Sequence, residues 1–231
     1  MDVSILITAY REATILPNNV RRLLEEMEKQ HRSFEIIVCD DGSGDDTVRV
    51  VAALEDPRVR CVTGEHLGKG GSLARGVAAA LGDLIFYTDA DLAYGTAVIP
   101  VFLSVLEEGE AALVIGSRPL HKEGYEGYPL GRRLLSSGYR FLLRLLGGIS
   151  VTDSQCGCKA YTAAAAKRLF ANLSEVGFSF ELETLLRARK WGLAVREYPV
   201  RVLTNGTSHV RPLRDGFSML CAACRIKRRY S

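Results

Sequence analysis

The 231 residues are 47% hydrophobic and 25% charged, which indicates a folded chain with a sizeable core in one large domain, or one domain with an appendage. No uninterrupted apolar run reaches the roughly 18 residues of a membrane span, and the start, Met1–Ile7, reads as a strand rather than a secretory leader. The net charge of +3 conceals an asymmetry: from Arg187 onward there are eleven Lys and Arg against two acids, and up to Leu186 nineteen against twenty-five. A basic C-terminal part points to an anionic partner, whether a phosphate, a nucleic acid or a membrane surface.

In chain order, apolar runs of strand length fall at Val3–Thr8, Glu35–Cys39, Val59–Val62, Leu84–Thr88 and Ala111–Ile115. Between them, Val20, Leu23, Leu24 and Met27 keep a helical period. So do Val48, Val51 and Leu54, then Leu73, Val77 and Leu81, then Val98, Val101, Phe102 and Val105. Strands alternating with helices predict an α/β fold with a mainly parallel central sheet flanked by helices. After Ser117 the pattern changes. Gly124–Gly131 reads as a loop, and Arg132–Leu146 as an amphipathic helix whose arginines face either a membrane interface or solvent. Helices are expected at Ala163–Phe170 and Phe180–Lys190, with a strand at Leu193–Pro199.

The polar turns follow the strands. Thr8–Glu12 follows the first, Asp40–Thr47 the second, and Asp89-Ala90-Asp91 the fourth, while Gly68–Ser72 opens the third helix. Ligands of such sheets bind beyond the carboxyl ends of the strands, so these turns predict one cleft. In extended backbone, Asp89 and Asp91 point to the same side. Two like charges so placed resist ionisation unless a hard cation, Mg²⁺ or Mn²⁺, takes their oxygens. For an isolated acidic pair a solvated turn is the simpler reading, and the converging turns argue against it. Lys69, at the start of a helix in a Gly-rich turn, suits an anion. Cys156-Gly157-Cys158 and Cys221-x-x-Cys224 resemble zinc half-sites, but no well-spaced His or Cys complement completes four ligands, and the six cysteines are expected as reduced thiols.

The stretches ILITAYREATILP, EIIVCDDGSGDDT, GKGGSLARG, FYTDADL and IGSR resemble, in that order, a family-2 glycosyltransferase with the Rossmann-like GT-A fold. DSQCGCKAY at 153–161 and FSFELE at 178–183 are similar to its polyprenyl-phosphate branch, which includes dolichyl-phosphate mannose synthases and glucosyltransferases. The resemblance implies a single domain, with a nucleotide-sugar half at 1–117 and an acceptor half at 118–231. It also implies a UDP-hexose or GDP-mannose donor, contacted by Thr8, Tyr10, Glu12, Val38, Asp40, Lys69, Asp89 and Ala90. Tyr10 would pack on the base or ribose, and Asp40 would bind there too. Asp41 reads as a turn former before Gly42. Asp89 and Asp91 would hold the metal. Mannose synthases commonly carry a glutamine two residues further on, where this chain has Ala93. That departure leans towards glucose.

A lipid phosphate acceptor is already anionic and needs positioning more than a general base. Arg118 resembles the family's acceptor-phosphate arginine, with Arg132 or Arg133, Arg201, Ser208, His209 and Arg211 as further contributors. Asp153, Gln155 and Lys159 would orient the pocket. Glu181 and Glu183 are either a base or structural, with an Arg-pairing role favoured for Glu183. The resulting expectation is an inverting, metal-dependent transfer of a hexose, glucose before mannose, to a polyprenyl phosphate. The protein would be cytoplasmic and peripheral at the cytosolic face of a membrane, reaching its acceptor through the membrane surface or a membrane partner. A homo-oligomer is compatible with this arrangement. One alternative replaces the lipid with a sugar or polyol hydroxyl, and another is a non-catalytic binding or scaffold protein. Nucleic acid is not expected, because the basic end lacks an aromatic platform.

Overall fold

The computed structural model describes residues 1–124, 151–177, 179–203 and 225. The first strands, β1 (Val3–Ala9) and β2 (Phe34–Asp40), are buried at all seven positions, as strands covered on both faces must be. α1 (Leu16–Glu28) lies between them, with proline in its first turn, where the missing N–H costs nothing. Its buried residues Leu16, Val20, Leu23 and Met27 form one stripe towards the sheet.

The chain continues through α2 (Thr47–Ala52), β3 (Val59–Val62), α3 (Lys69–Ala79), β4 (Leu84–Asp89), α4 (Val98–Glu107) and β5 (Leu113–Ser117). Beyond the undescribed segment come β6 (Cys158–Thr162), α5 (Ala163–Phe170), α6 (Phe180–Lys190) and β7 (Val195–Pro199). The seven strands form one sheet in the order β3-β2-β1-β4-β6-β5-β7. All neighbours are parallel except β6, which runs antiparallel between β4 and β5. The α/β expectation therefore holds, and strands from both halves of the chain share one sheet.

One strand escaped the periodicity. Cys158–Thr162 is short and carries Lys159, yet four of its five positions are buried. Its lysine is 1% exposed, a burial that only a specific partner permits. The expected helix at Arg132–Leu146 and loop at Gly124–Gly131 fall, apart from Gly124, outside the described residues.

Candidate active site

Successive strands step from β1 to β2 to β3 on one side, and the chain then returns to place β4 on the other side of β1. The reversal makes β1/β4 the switch point, where the flanking connections diverge and leave a crevice. Parallel register brings Thr8 opposite Asp89 and Ala9 opposite Asp40. The polar turns meet there.

Asp89 is the centre of the cluster. Thr8 Oγ1 donates to its Oδ1 at 2.7 Å, and the Lys69 ammonium lies 2.5 Å from the same oxygen. Lys69 is brought there by Gly68, whose φ of +101° turns the chain sharply into α3. The other oxygen of Asp89 faces the backbone of Gly157, where any Cβ would collide with the carboxylate. Gly157 lies within DSQCGCKAY; the signal that marks it is a glycine immediately before a buried strand.

Asp91 differs. Ala93 N–H donates to its Oδ1 at 3.1 Å, after a turn through Leu92 at φ +47°. Burial, and then the Asp89 charge, push its carboxyl above the usual range. The turn is anchored from behind by Asn19, a buried α1 side chain that donates to the Ala90 carbonyl at 2.7 Å. Asn19 is a positioning residue that the helical stripe of α1 concealed.

Beyond the carboxyl end of β1, Tyr10 is 36% exposed. Its ring stacks on His66 with centroids 4.5 Å apart, with the Arg11 guanidinium 5.3 Å away. Glu12 donates its N–H to Thr47 at 3.0 Å and begins α1 with its carbonyl. Asp40 is turned inward. It is fully buried and accepts from Thr63 at 2.6 Å and the Ser43 N–H at 3.1 Å, while its carbonyl accepts from Arg75. Those bonds satisfy a carboxylate expected to face the nucleotide. Val38 is likewise 0% exposed, between β1 and β3, so its surface does not reach the cleft. Asp41 does more than form a turn: it accepts from the N–H groups of Leu67 and Gly68 at 2.9 Å and lies 2.8 Å from His66 Nδ1. This clamp fixes the loop that delivers Lys69.

On the opposite side, Arg118 and Asp153 form a bidentate pair, Nε to Oδ2 at 2.6 Å and Nη2 to Oδ1 at 2.7 Å. Burial opposes the Arg118 charge, but the hydrogen bonds it donates to the Asp153 carboxylate, and that carboxylate's charge, more than offset it, and the guanidinium stays firmly protonated. Glu197 of β7 supports the turn by accepting from Thr152 at 2.7 Å and from the Asp153 N–H at 3.2 Å. Gln155 has a buried amide nitrogen without a partner among the described residues.

Beneath the cluster, Glu181 accepts from both Tyr87 and Lys159, and Lys159 also donates to the Ser154 carbonyl at 2.9 Å. Burial pushes the Lys159 ammonium well below the usual lysine range. Glu183 is 0% exposed, pairs with Arg187 at 2.6 Å and accepts from Ser174 and Glu175. Its contacts are those of a buttress for the 174–175 loop. Arg201 lies on the surface, paired with Glu123 at 2.8 Å and 53% exposed at its side chain. Arg132, Arg133, Ser208, His209 and Arg211 fall outside the described residues. Cys39, Cys61, Cys156 and Cys158 are free thiols, and among the described residues no group of three His, Cys, Asp or Glu is placed to hold a metal.

Comparison with known proteins shows the family and the fold. The model of Glycosyl transferase family 2 matches residues 4–170. Glycosyltransferase AglD of Haloferax volcanii is 33% identical over 224 residues, covering 95% of this chain and 36% of that protein. The human dolichyl-phosphate beta-glucosyltransferase is 31% identical, covering 86% of this chain and 66% of the relative. The chain thus spans about a third of the first relative and about two thirds of the second. Glucosyl-3-phosphoglycerate synthase of Mycobacterium tuberculosis, solved with Mn²⁺, UDP-glucose and phosphoglyceric acid, superposes with a TM-score of 0.75 at 21% identity, covering 98% of this chain and 80% of that one. It shares the fold. With a family match over most of its length and the acidic pair at the switch point, the chain belongs to glycosyl transferase family 2.

Proposed function

We propose that this chain transfers a hexose, glucose first, from a nucleotide sugar to a polyprenyl phosphate, with inversion at the sugar carbon. The observation that carries the choice of acceptor is the state of the two acids a hydroxyl acceptor would need as a base. Glu181 is held by Lys159 and Tyr87, and Glu183 by Arg187, and both are at most 4% exposed. A phosphate nucleophile needs neither, because it is already ionised. The curated relatives named as dolichyl-phosphate glucosyltransferases support the same acceptor and sugar.

The donor half comprises the turns around Tyr10, Lys69 and Asp89, and the acceptor half begins at Arg118. Tyr10 offers an exposed ring on which a base can stack. Lys69, at the start of an eleven-residue helix, is placed for the donor's anionic diphosphate. Asp153 fixes the plane of Arg118, so a phosphate meets preoriented N–H donors rather than a mobile side chain.

The donor set of the site fits a hard divalent cation. Asp89 and Asp91 supply two carboxylates, one of them costly to ionise without a counter-charge. Magnesium and manganese sites of this kind are completed by substrate phosphates and water. When bound, such an ion would stabilise the charge developing on the departing nucleotide. No helix among the described residues is long and apolar enough to cross a membrane, and the reading places the chain at the membrane surface through its basic C-terminal part.

The experiment is transfer from separately labelled UDP-glucose, UDP-galactose, UDP-N-acetylglucosamine and GDP-mannose in the presence of a polyprenyl phosphate, with and without Mg²⁺ or Mn²⁺. Lipid-dependent, organic-extractable label from UDP-glucose is the expected result. Label that stays water-soluble on a sugar or polyol would overturn the acceptor assignment.

A further inference from the structure

We propose that Lys69 is an exchangeable counter-ion of Asp89, occupying the carboxylate in the donor-free chain and moving to the donor's diphosphate when a divalent cation takes its place. The inference rests on the metal-dependent reading above and goes beyond it, because it assigns one side chain two successive partners.

Three observations carry it. Lys69 Nζ lies 2.5 Å from Asp89 Oδ1, an oxygen that already accepts from Thr8 at 2.7 Å. The second oxygen, Oδ2, is walled by the Gly157 backbone so closely that a Cβ there would overlap it. The Asp89 carboxylate is therefore committed on one oxygen and crowded at the other. An incoming dication must compete with a positive charge already seated on the ligand it needs, and like charges this close repel.

The surroundings allow the side chain, and only the side chain, to move. The backbone at Lys69 is pinned on both sides: Asp41 takes the N–H groups of Leu67 and Gly68, and the Val176 carbonyl takes that of Gly71 at 3.0 Å. The ammonium sits on a flexible four-carbon stem, is 18% exposed at its side chain, and lies 5.7 Å from the Tyr87 ring centroid, a face that keeps it near the cleft. At the first position of α3 it needs only to change rotamer to reach an anion at the helix N-terminus. A donor diphosphate removes the ammonium from Asp89, and the freed carboxylate accepts the cation. The two ligands then bind with positive coupling, and that coupling is reciprocal.

The test is a titration with Mn²⁺, following the signal of the free ion by electron paramagnetic resonance, without nucleotide and with saturating UDP or GDP in separate runs. Wild type, Lys69→Met, Lys69→Gln and Asp91→Asn are compared after thermal unfolding has shown them folded. In wild type, Mn²⁺ alone binds weakly and the preferred nucleotide strengthens it. Lys69→Met and Lys69→Gln are expected to bind Mn²⁺ alone about tenfold more tightly, and to lose most of the strengthening by nucleotide. Unchanged or weaker binding of Mn²⁺ alone in both Lys69 variants, with wild type still binding the ion beside nucleotide, overturns the exchange and leaves the metal reading intact. No Mn²⁺ binding by wild type under any condition, or full binding by Asp91→Asn, overturns the metal reading and the exchange with it.

Discussion

Glu35 and Asp91 are carboxylates near opposite ends of one sheet, and the protein treats them in opposite ways. Glu35, at the start of β2, is 4% exposed and accepts from Ser4 Oγ at 2.7 Å, from the Leu81 N–H at 2.7 Å and from Arg60 at 2.9 Å and 3.0 Å. Burial opposes its ionisation, but these donors outweigh it and hold its carboxyl below the usual range. Asp91, beyond the end of β4, has one backbone donor and a neighbouring negative charge, and its carboxyl is raised. The amino end of the sheet uses charge to stabilise the fold. The carboxyl end keeps charge incompletely matched, as sites that must receive a charged ligand do.

The contrast can be broken most strongly at Asp91. Asp91→Asn removes a ligand of the proposed cation, and transfer is expected to fall by about 10³-fold. The melting temperature should stay level or rise, because a poorly matched, partly buried charge has gone. Transfer assays beside thermal unfolding check both halves, and an equal loss of stability and activity would remove the distinction between the two ends. Gly157→Ala tests the same region through shape. A Cβ displaces the Asp89 carboxylate, and a shift of that order costs about 10²-fold in rate, read as a fall in kcat with little change in the far-ultraviolet spectrum.

Glu35→Gln sharpens the other side. It leaves Arg60 and buried donors without their anion and should destabilise by about 2 kcal/mol at neutral pH, measured by urea unfolding, with kcat unchanged in native conditions. The pH dependence has a definite sign. The folded carboxyl lies below its unfolded value, so the contribution is full above the unfolded pKa and disappears as pH falls through the folded one. The gap between wild type and variant should therefore close in acid. The smallest effect is expected at Arg201→Ala, since an ion pair half exposed on both partners contributes at most about 1 kcal/mol. A large drop in transfer there would give this surface arginine a share in the acceptor site.

Much of this was legible in the residues. The strands and helices of the first half announce themselves because each buries one regular apolar pattern, and turns rich in Asp and Gly after parallel strands converge on one edge. The cluster of Thr8, Lys69 and Asp89 follows from that convergence. What stayed hidden has a common physical cause, namely partners distant in sequence. Asp40 and Asp41 are adjacent and chemically identical, yet Asp40 is consumed by Ser43 and Thr63 while Asp41 clamps the loop before α3. Arg118 could be read as an arginine for phosphate, but not as one bound on two atoms by Asp153, 35 residues away.

By itself the chain's sequence determined the alternation of strands and helices, the edge on which the polar turns gather, and the presence there of two acids and one ammonium, because local periodicity and turn chemistry act over a few residues. Only the tertiary structure decided which charges are spent on one another. It inserted antiparallel β6 beside β4, which brought Gly157 against Asp89, buried Lys159 against Glu181, and left the Asp91 carboxyl raised by burial and by the Asp89 charge. Pairing across a sheet depends on register and topology, and no short stretch of sequence contains either.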